Sequence, residues 1–163
     1  MGSGKSHISK ILSNKLNFKL IDLDKEISKR NKMTIPEIFD KKGEIYFRKL
    51  ERETLEEILA SEKNTILSLG GGTPVYYNNM EIINHNSKSV FLRASVATLT
   101  ERLSKQKEKR PLIANITDEN LAEFIAKHLF ERNDFYNKAQ ISIITDNRTP
   151  EDIVNEIIEK LYL

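Results

Sequence analysis

A chain of 163 residues is long enough for one domain with a real core, burying about two thirds of the surface that its unfolded form exposes. The absence of cysteine excludes a disulfide framework, a thiolate nucleophile and any cysteine-built zinc site, while 39% apolar and 31% charged residues exclude a disordered chain. A net charge of +2 with both signs interspersed argues against nucleic acid, and apolar runs of a few residues are too short for a bilayer span or a signal segment, so a cytoplasmic protein without nucleic-acid or membrane partners is expected.

In chain order, short apolar β-type runs alternate with longer helical patterns, which predicts an α/β fold: a parallel sheet covered by helices. Gly2-Ser3-Gly4-Lys5-Ser6 opens the chain and reads as the second half of G-x-x-x-x-G-K-[ST], entering a helix over 5–16 with Ile8, Ile11, Leu12 and Leu16 on one face. In such a loop the glycines let backbone NH groups face a phosphate, Lys5 reaches the phosphates and Ser6 ligates Mg²⁺. The motif's first glycine and the strand before it would lie ahead of Met1, so the natural protein is expected to begin several residues earlier, with genuine truncation as the alternative.

A strand is predicted over 18–21 and ends in Asp22-Leu23-Asp24, where an open α/β sheet places its ligands. Strand alternation puts both carboxylates on one side, Asp22 to hold metal-bound water and Asp24 to accept the proton of an attacking hydroxyl; capping of the next helix accounts in part for one of them. Helices follow over 24–30, 35–41 and 43–61, with Thr34 as N-cap ahead of Pro36 and Glu37. The third run, 65–69, leads into Gly70-Gly71-Gly72-Thr73, where backbone can approach a ligand with no Cβ in the way. Strands over 89–92 and 140–144 and helices over 96–103, 118–133 and 150–161 complete the pattern, the last started by Thr149-Pro150-Glu151. Neither an internal repeat nor a linker marks a boundary inside 1–163.

Gly-Ser-Gly-Lys-Ser, Asp-Leu-Asp, Ile-Phe-x(4)-Glu-x(2)-Phe-Arg-x(2)-Glu, Gly-Gly-Gly and Arg-Pro-Leu occur in that order over the whole chain, which thereby resembles the shikimate kinases. The resemblance implies a three-layer α/β/α P-loop kinase fold of five strands, four of them visible here, as one domain with a lid near 104–117 and a shikimate-binding segment near 24–52. It implies transfer of the γ-phosphate of ATP, with Mg²⁺, to the 3-hydroxyl of shikimate on the route to chorismate and the aromatic amino acids, by a monomer. Residue by residue, Gly2, Ser3, Gly4, Lys5, Ser6 and His7 match the nucleotide loop, Ser6 and Asp22 (through water) the metal site, and Asp24 the base. Asp24, Arg48, Gly70, Gly71, Gly72 and Arg132 match shikimate contacts, the two arginines serving its carboxylate. Arg110 matches the lid arginine on the ATP phosphates, completing with Asp24 and Lys5 the catalytic set, and Arg148 and Pro150 match the loop over adenine. His7 stands where the family usually has threonine, and Asn137-Lys138 depart from an acidic pattern after Tyr136. Rival readings are a gluconate-type or nucleoside monophosphate kinase, which the acceptor residues disfavour, and a non-catalytic nucleotide-binding remnant, disfavoured by the intact Lys5, Ser6, Asp22 and Asp24.

Overall fold

The structure, a computed structural model, describes residues 2–107 and 112–162. They form two compact units, one of residues 6–89 and one of residues 1–5 with 90–163, so the division falls inside the glycine-rich loop.

In the first unit α1 (Lys5–Leu16) leads to β1 (Lys19–Asp22), α2 (Leu23–Asn31), α3 (Ile35–Ser61), β2 (Thr65–Ser68) and α4 (Asn79–Asn86). β1 and β2 pair in parallel, Lys19 opposite Thr65 and Asp22 opposite Ser68, so Asp22 ends its strand beside the start of the glycine run. Two of these helices start at side-chain caps. Asp22 caps α2 by accepting the Lys25 amide at 3.2 Å, and Thr34 with Glu37 forms a reciprocal capping box on α3. The two helices predicted over 35–41 and 43–61 run on as one, but Gly43 (φ 81°, ψ 168°) breaks its geometry and turns the second part. Leu23, Ile27, Ile38, Phe47, Leu55, Ile58 and Ile83 form the core; each wholly buried aliphatic chain contributes roughly 1.5–3 kcal/mol.

The second unit holds β3 (Val90–Arg93), α5 (Val96–Ser104), α6 (Asp118–Phe130), α7 (Asn133–Tyr136), β4 (Ile141–Ile144) and α8 (Pro150–Leu161). β3 and β4 are parallel and in register from Val90 opposite Ile141 to Arg93 opposite Ile144. Among the described residues, then, the four predicted strands are parallel as expected and form two separate pairs. Ala94, Leu99, Leu103, Ile113, Leu121 and Ile125 form the second core, and the buried face of α8 is Ile153, Val154 and Ile157.

Besides the join at Gly43, sequence and structure differ at two further places. α4 was not foreseen: its polar sequence is helical because Asn79, fully buried, donates through Nδ2 to the Thr73 carbonyl at 2.8 Å while Met80 and Ile83 enter the core. The single helix predicted over 118–133 ends at Phe130, whose 85% exposure marks the end of the apolar face, and restarts as α7.

Candidate active site

At the start of the chain Gly2 (φ 76°) and Gly4 (φ 87°) both adopt left-handed backbone, which a side chain would strain. A Cβ on Gly2 would also come within 3.0 Å of Leu103 and 3.2 Å of Leu99, whereas Gly4 has open space around it. Arg102 steadies this end of the loop, donating to the Gly2 carbonyl at 3.5 Å and to the Thr145 carbonyl at 3.1 Å. Lys5 then begins α1 half-buried, while Ser6 and His7 are exposed on its first turn. Backbone curvature, a helix N-terminus and one lysine therefore meet at the same few residues, the arrangement that receives phosphate.

Asp22 and Asp24 do not share a face by strand alternation: the helix begins at Leu23, whose buried side chain anchors the turn, so Asp22 is the cap and Asp24 stands in the first turn. Asp24 faces the glycine run, since a Cβ on Gly70 would lie 3.3 Å and 3.4 Å from its two carboxylate oxygens. Two residues on, a Cβ on Gly72 would lie 2.8 Å from Nη1, 2.9 Å from Nη2 and 3.1 Å from Cζ of Arg48. The guanidinium is thus pressed against bare backbone, although Gly72 itself lies outside the left-handed region.

Arg48 is held from several sides. Its Nη1 donates to Oε2 of Glu51 at 2.8 Å, and Oε1 of Glu51 accepts the Thr73 hydroxyl at 2.7 Å, so one carboxylate with 1% exposure joins α3 to the glycine turn. Tyr76 stacks on the guanidinium with its ring centroid 3.9 Å from Cζ, and Phe47 and Phe39 stand 5.0 Å and 5.8 Å away. Burial by itself would lower the arginine's pKa; the hydrogen bond and charge of Glu51, with Tyr76 and Glu44 adding, outweigh it and the net shift is upward. What results is a permanently charged planar fork in an aromatic wall, suited to a small carboxylate. The Asp24 carboxylate at the start of α2, the glycine turn and Arg48 all lie within the first unit.

The family model for shikimate kinase matches residues 1–162. The chain belongs to the shikimate kinase family. It is 49% identical to the shikimate kinase of Flavobacterium johnsoniae over 99% of this chain and 94% of that one. The crystal structure of the shikimate kinase from Bacteroides thetaiotaomicron superposes with a TM-score of 0.92 at 38% identity, covering 100% of this chain and 94% of that one. The shikimate kinase from Acinetobacter baumannii in complex with shikimate gives 0.86 at 28% identity, with 99% and 88% covered. These likenesses establish the P-loop kinase fold.

The other residues marked by resemblance to shikimate kinases lie as follows. Arg132 caps α7 in the second unit, accepting through its carbonyl from Phe135 and Tyr136. Its neighbour His128 stacks on Phe124, and burial, with the Arg132 charge second, pushes its pKa down. Arg148 is engaged with Glu156 and with the carbonyls of Ile144 and Asp152, at the start of an α8 capped by Thr149 with Pro150 in its first turn. Arg110 lies outside the described residues; beside that stretch Lys107 pairs with Asp118 at 2.5 Å and Ile113 is fully buried. In the sequence Glu44 and Glu51 stand only as motif letters and Thr73 only as the end of the glycine run, while Tyr76 and Arg102 carry no mark. The i, i+4 and i, i+3 spacing of Glu44 and Glu51 from Arg48 was the available signal.

Proposed function

We propose that this chain, as a cytoplasmic monomer, transfers the γ-phosphate of ATP to the 3-hydroxyl of shikimate, giving shikimate 3-phosphate and ADP. The observation that carries the acceptor is Arg48, fixed by buried Glu51, walled by Tyr76 and bare Gly72, in the same unit as Asp24 against Gly70. The fork binds the acceptor carboxylate, the Gly71 backbone and Arg132 support it, and Asp24 takes the hydroxyl proton as that oxygen bonds to phosphorus. The bond from phosphorus to the β–γ bridging oxygen breaks in the same displacement, and ADP leaves.

Gly2 to His7 cradle the nucleotide phosphates, with Lys5 among them, and Arg148 and Pro150 border the adenine. An exposed hydroxyl on Ser6 and the carboxylate of Asp22, whose Oδ1 already accepts an amide, suit Mg²⁺, which keeps several waters and takes its other ligands from phosphate. When bound, the ion offsets charge on the transferring group. Residues 1–163 act as one kinase domain, in which 24–52 binds shikimate and 104–117 forms a lid that brings in Arg110.

ADP release with Mg·ATP and shikimate, gluconate or no acceptor tests the reading. Turnover specific to shikimate is expected. Asp24→Asn should keep shikimate binding detectable and lower kcat by roughly 100-fold or more, whereas Arg132→Ala should chiefly raise the KM for shikimate. The reverse pattern removes the role assignment, and equal turnover with gluconate removes the substrate.

A further inference from the structure

The fork of Arg48 that the proposed reading offers to shikimate already carries a carboxylate on one edge. Oε1 of Glu44 accepts from Nε and from Nη2, both at 3.3 Å, and the same oxygen accepts the Tyr76 hydroxyl at 2.7 Å. These two bonds are long, whereas the Nη1 bond to Glu51 is 2.8 Å. The two carboxylates also differ in setting: the side chain of Glu44 is 50% exposed, that of Glu51 1%. One is a fixed part of the core and the other sits at the surface, able to swing into water.

Charge decides what this arrangement does. Arg48 with Glu51 is neutral, and Arg48 with both glutamates carries a net −1 toward any incoming anion. Glu51 cannot leave without stranding a buried charge. Glu44 can leave at a smaller cost than Glu51, because half of its side chain is already in water and its bonds to the fork are long. Tyr76 is placed to serve both states: its ring stacks on the guanidinium, and its hydroxyl donates to Glu44. Accepting Glu44 raises the Tyr76 phenol above its ordinary pKa, burial adds to this and Arg48 opposes it, so the hydroxyl is a proton donor at every physiological pH.

We infer that Glu44, oriented by the Tyr76 hydroxyl, is a resident carboxylate on Arg48 that the acceptor's carboxylate displaces, so that the Glu44–Tyr76 pair sets how tightly an anionic acceptor must bind to enter. The pair holds the fork in its receptive rotamer before substrate arrives and excludes acceptors that lack a carboxylate able to compete. Such an arrangement weakens acceptor binding relative to the same site without Glu44. That is the opposite of what loss of a merely structural contact would produce.

This rests on Arg48 being the acceptor-carboxylate site, so both are tested together in the full chain, with KM for shikimate and for ATP measured alongside calorimetric binding of shikimate. Arg48→Lys keeps the charge and loses the fork, and should raise the shikimate KM at least about tenfold while the ATP KM moves far less. Glu44→Gln should lower the shikimate KM and Kd by about two- to fivefold. Tyr76→Phe, which retains the stacked ring, should move both in the same direction by less, and it replaces Glu44→Gln as the deciding variant if that protein does not fold. An unchanged or raised shikimate KM in the deciding variant, with Arg48→Lys behaving as stated, overturns the inference alone. An Arg48→Lys protein with an unaltered shikimate KM overturns the acceptor reading, and the inference with it.

Discussion

The glycine loop that opens the chain and the glycine turn after β2 look alike in sequence but are built on opposite principles. At Gly2 and Gly4 the glycines serve the backbone, whose left-handed torsions curl the loop, and little surrounds Gly4. At Gly70 and Gly72 no such torsion is needed; the glycines serve their neighbours, leaving room for the Asp24 carboxylate and the Arg48 fork. A phosphate site can be made of main-chain NH groups and one helix end, because phosphate is met by many equivalent donors. A small carboxylate acceptor needs one side chain aimed within a fraction of an ångström, and that aim is supplied by packing and a second layer of hydrogen bonds.

The largest effect should come from the second layer. Glu51→Ala leaves Arg48 with no buried counter-charge and the Thr73 hydroxyl with no acceptor, and should cost about 3–5 kcal/mol in urea unfolding, besides raising the shikimate KM. A loss below 1 kcal/mol would show that the buried bridge is not what fixes the fork. Next comes the pair of glycines. Gly72→Ala pushes the guanidinium away from the position that Glu51 and Tyr76 fix, and should lower kcat/KM for shikimate by on the order of 100-fold. Gly4→Ala should do the converse, costing ~1–2 kcal/mol of backbone strain and weakening Mg·ADP binding while the shikimate KM is spared. If both substitutions impair the same substrate equally, the contrast between backbone-built and side-chain-built sites fails.

The smallest effect lies outside both. Asp146, at the end of β4, accepts from the Ser95 amide at 3.0 Å and the Ser95 hydroxyl at 2.9 Å; a hydrogen bond from Thr98, then those from Ser95, hold its pKa below the ordinary carboxylate value. A carboxylate with a depressed folded pKa contributes stability above its unfolded pKa, near 3.9, and loses it as pH falls through the folded value. Asp146→Asn should therefore flatten the acid limb of a melting profile below about pH 4, by less than about 1 kcal/mol because the group is partly exposed. An acid limb identical to that of the parent protein would remove this attribution.

Much of this was legible along the chain because it depends on local chemistry. The capping residues Thr34 and Thr149, the apolar faces of α1 and α8 and the four parallel-type strands are all set by residues within a turn or two of one another. The family motifs could likewise be read as ordered letters, which is why Asp24, Arg48 and the glycine run were marked without a structure. α4 was not legible, because its polar sequence is helical only when Asn79 finds the Thr73 carbonyl in the core. The face shared by Asp22 and Asp24 was misread, since the buried Leu23 starts a helix where strand alternation was assumed. Thr73 and Tyr76 are far from Arg48 in sequence, and the approach of Thr73 to Glu51 and of Tyr76 to the guanidinium is decided only when α3 packs against the turn after β2. The sequence by itself therefore determined most of the elements and the family, and marked the phosphate loop and Arg48 as candidates. The tertiary structure decided what aims that arginine, because a charge in a low-dielectric wall takes its orientation from neighbours that only folding brings within 3 Å.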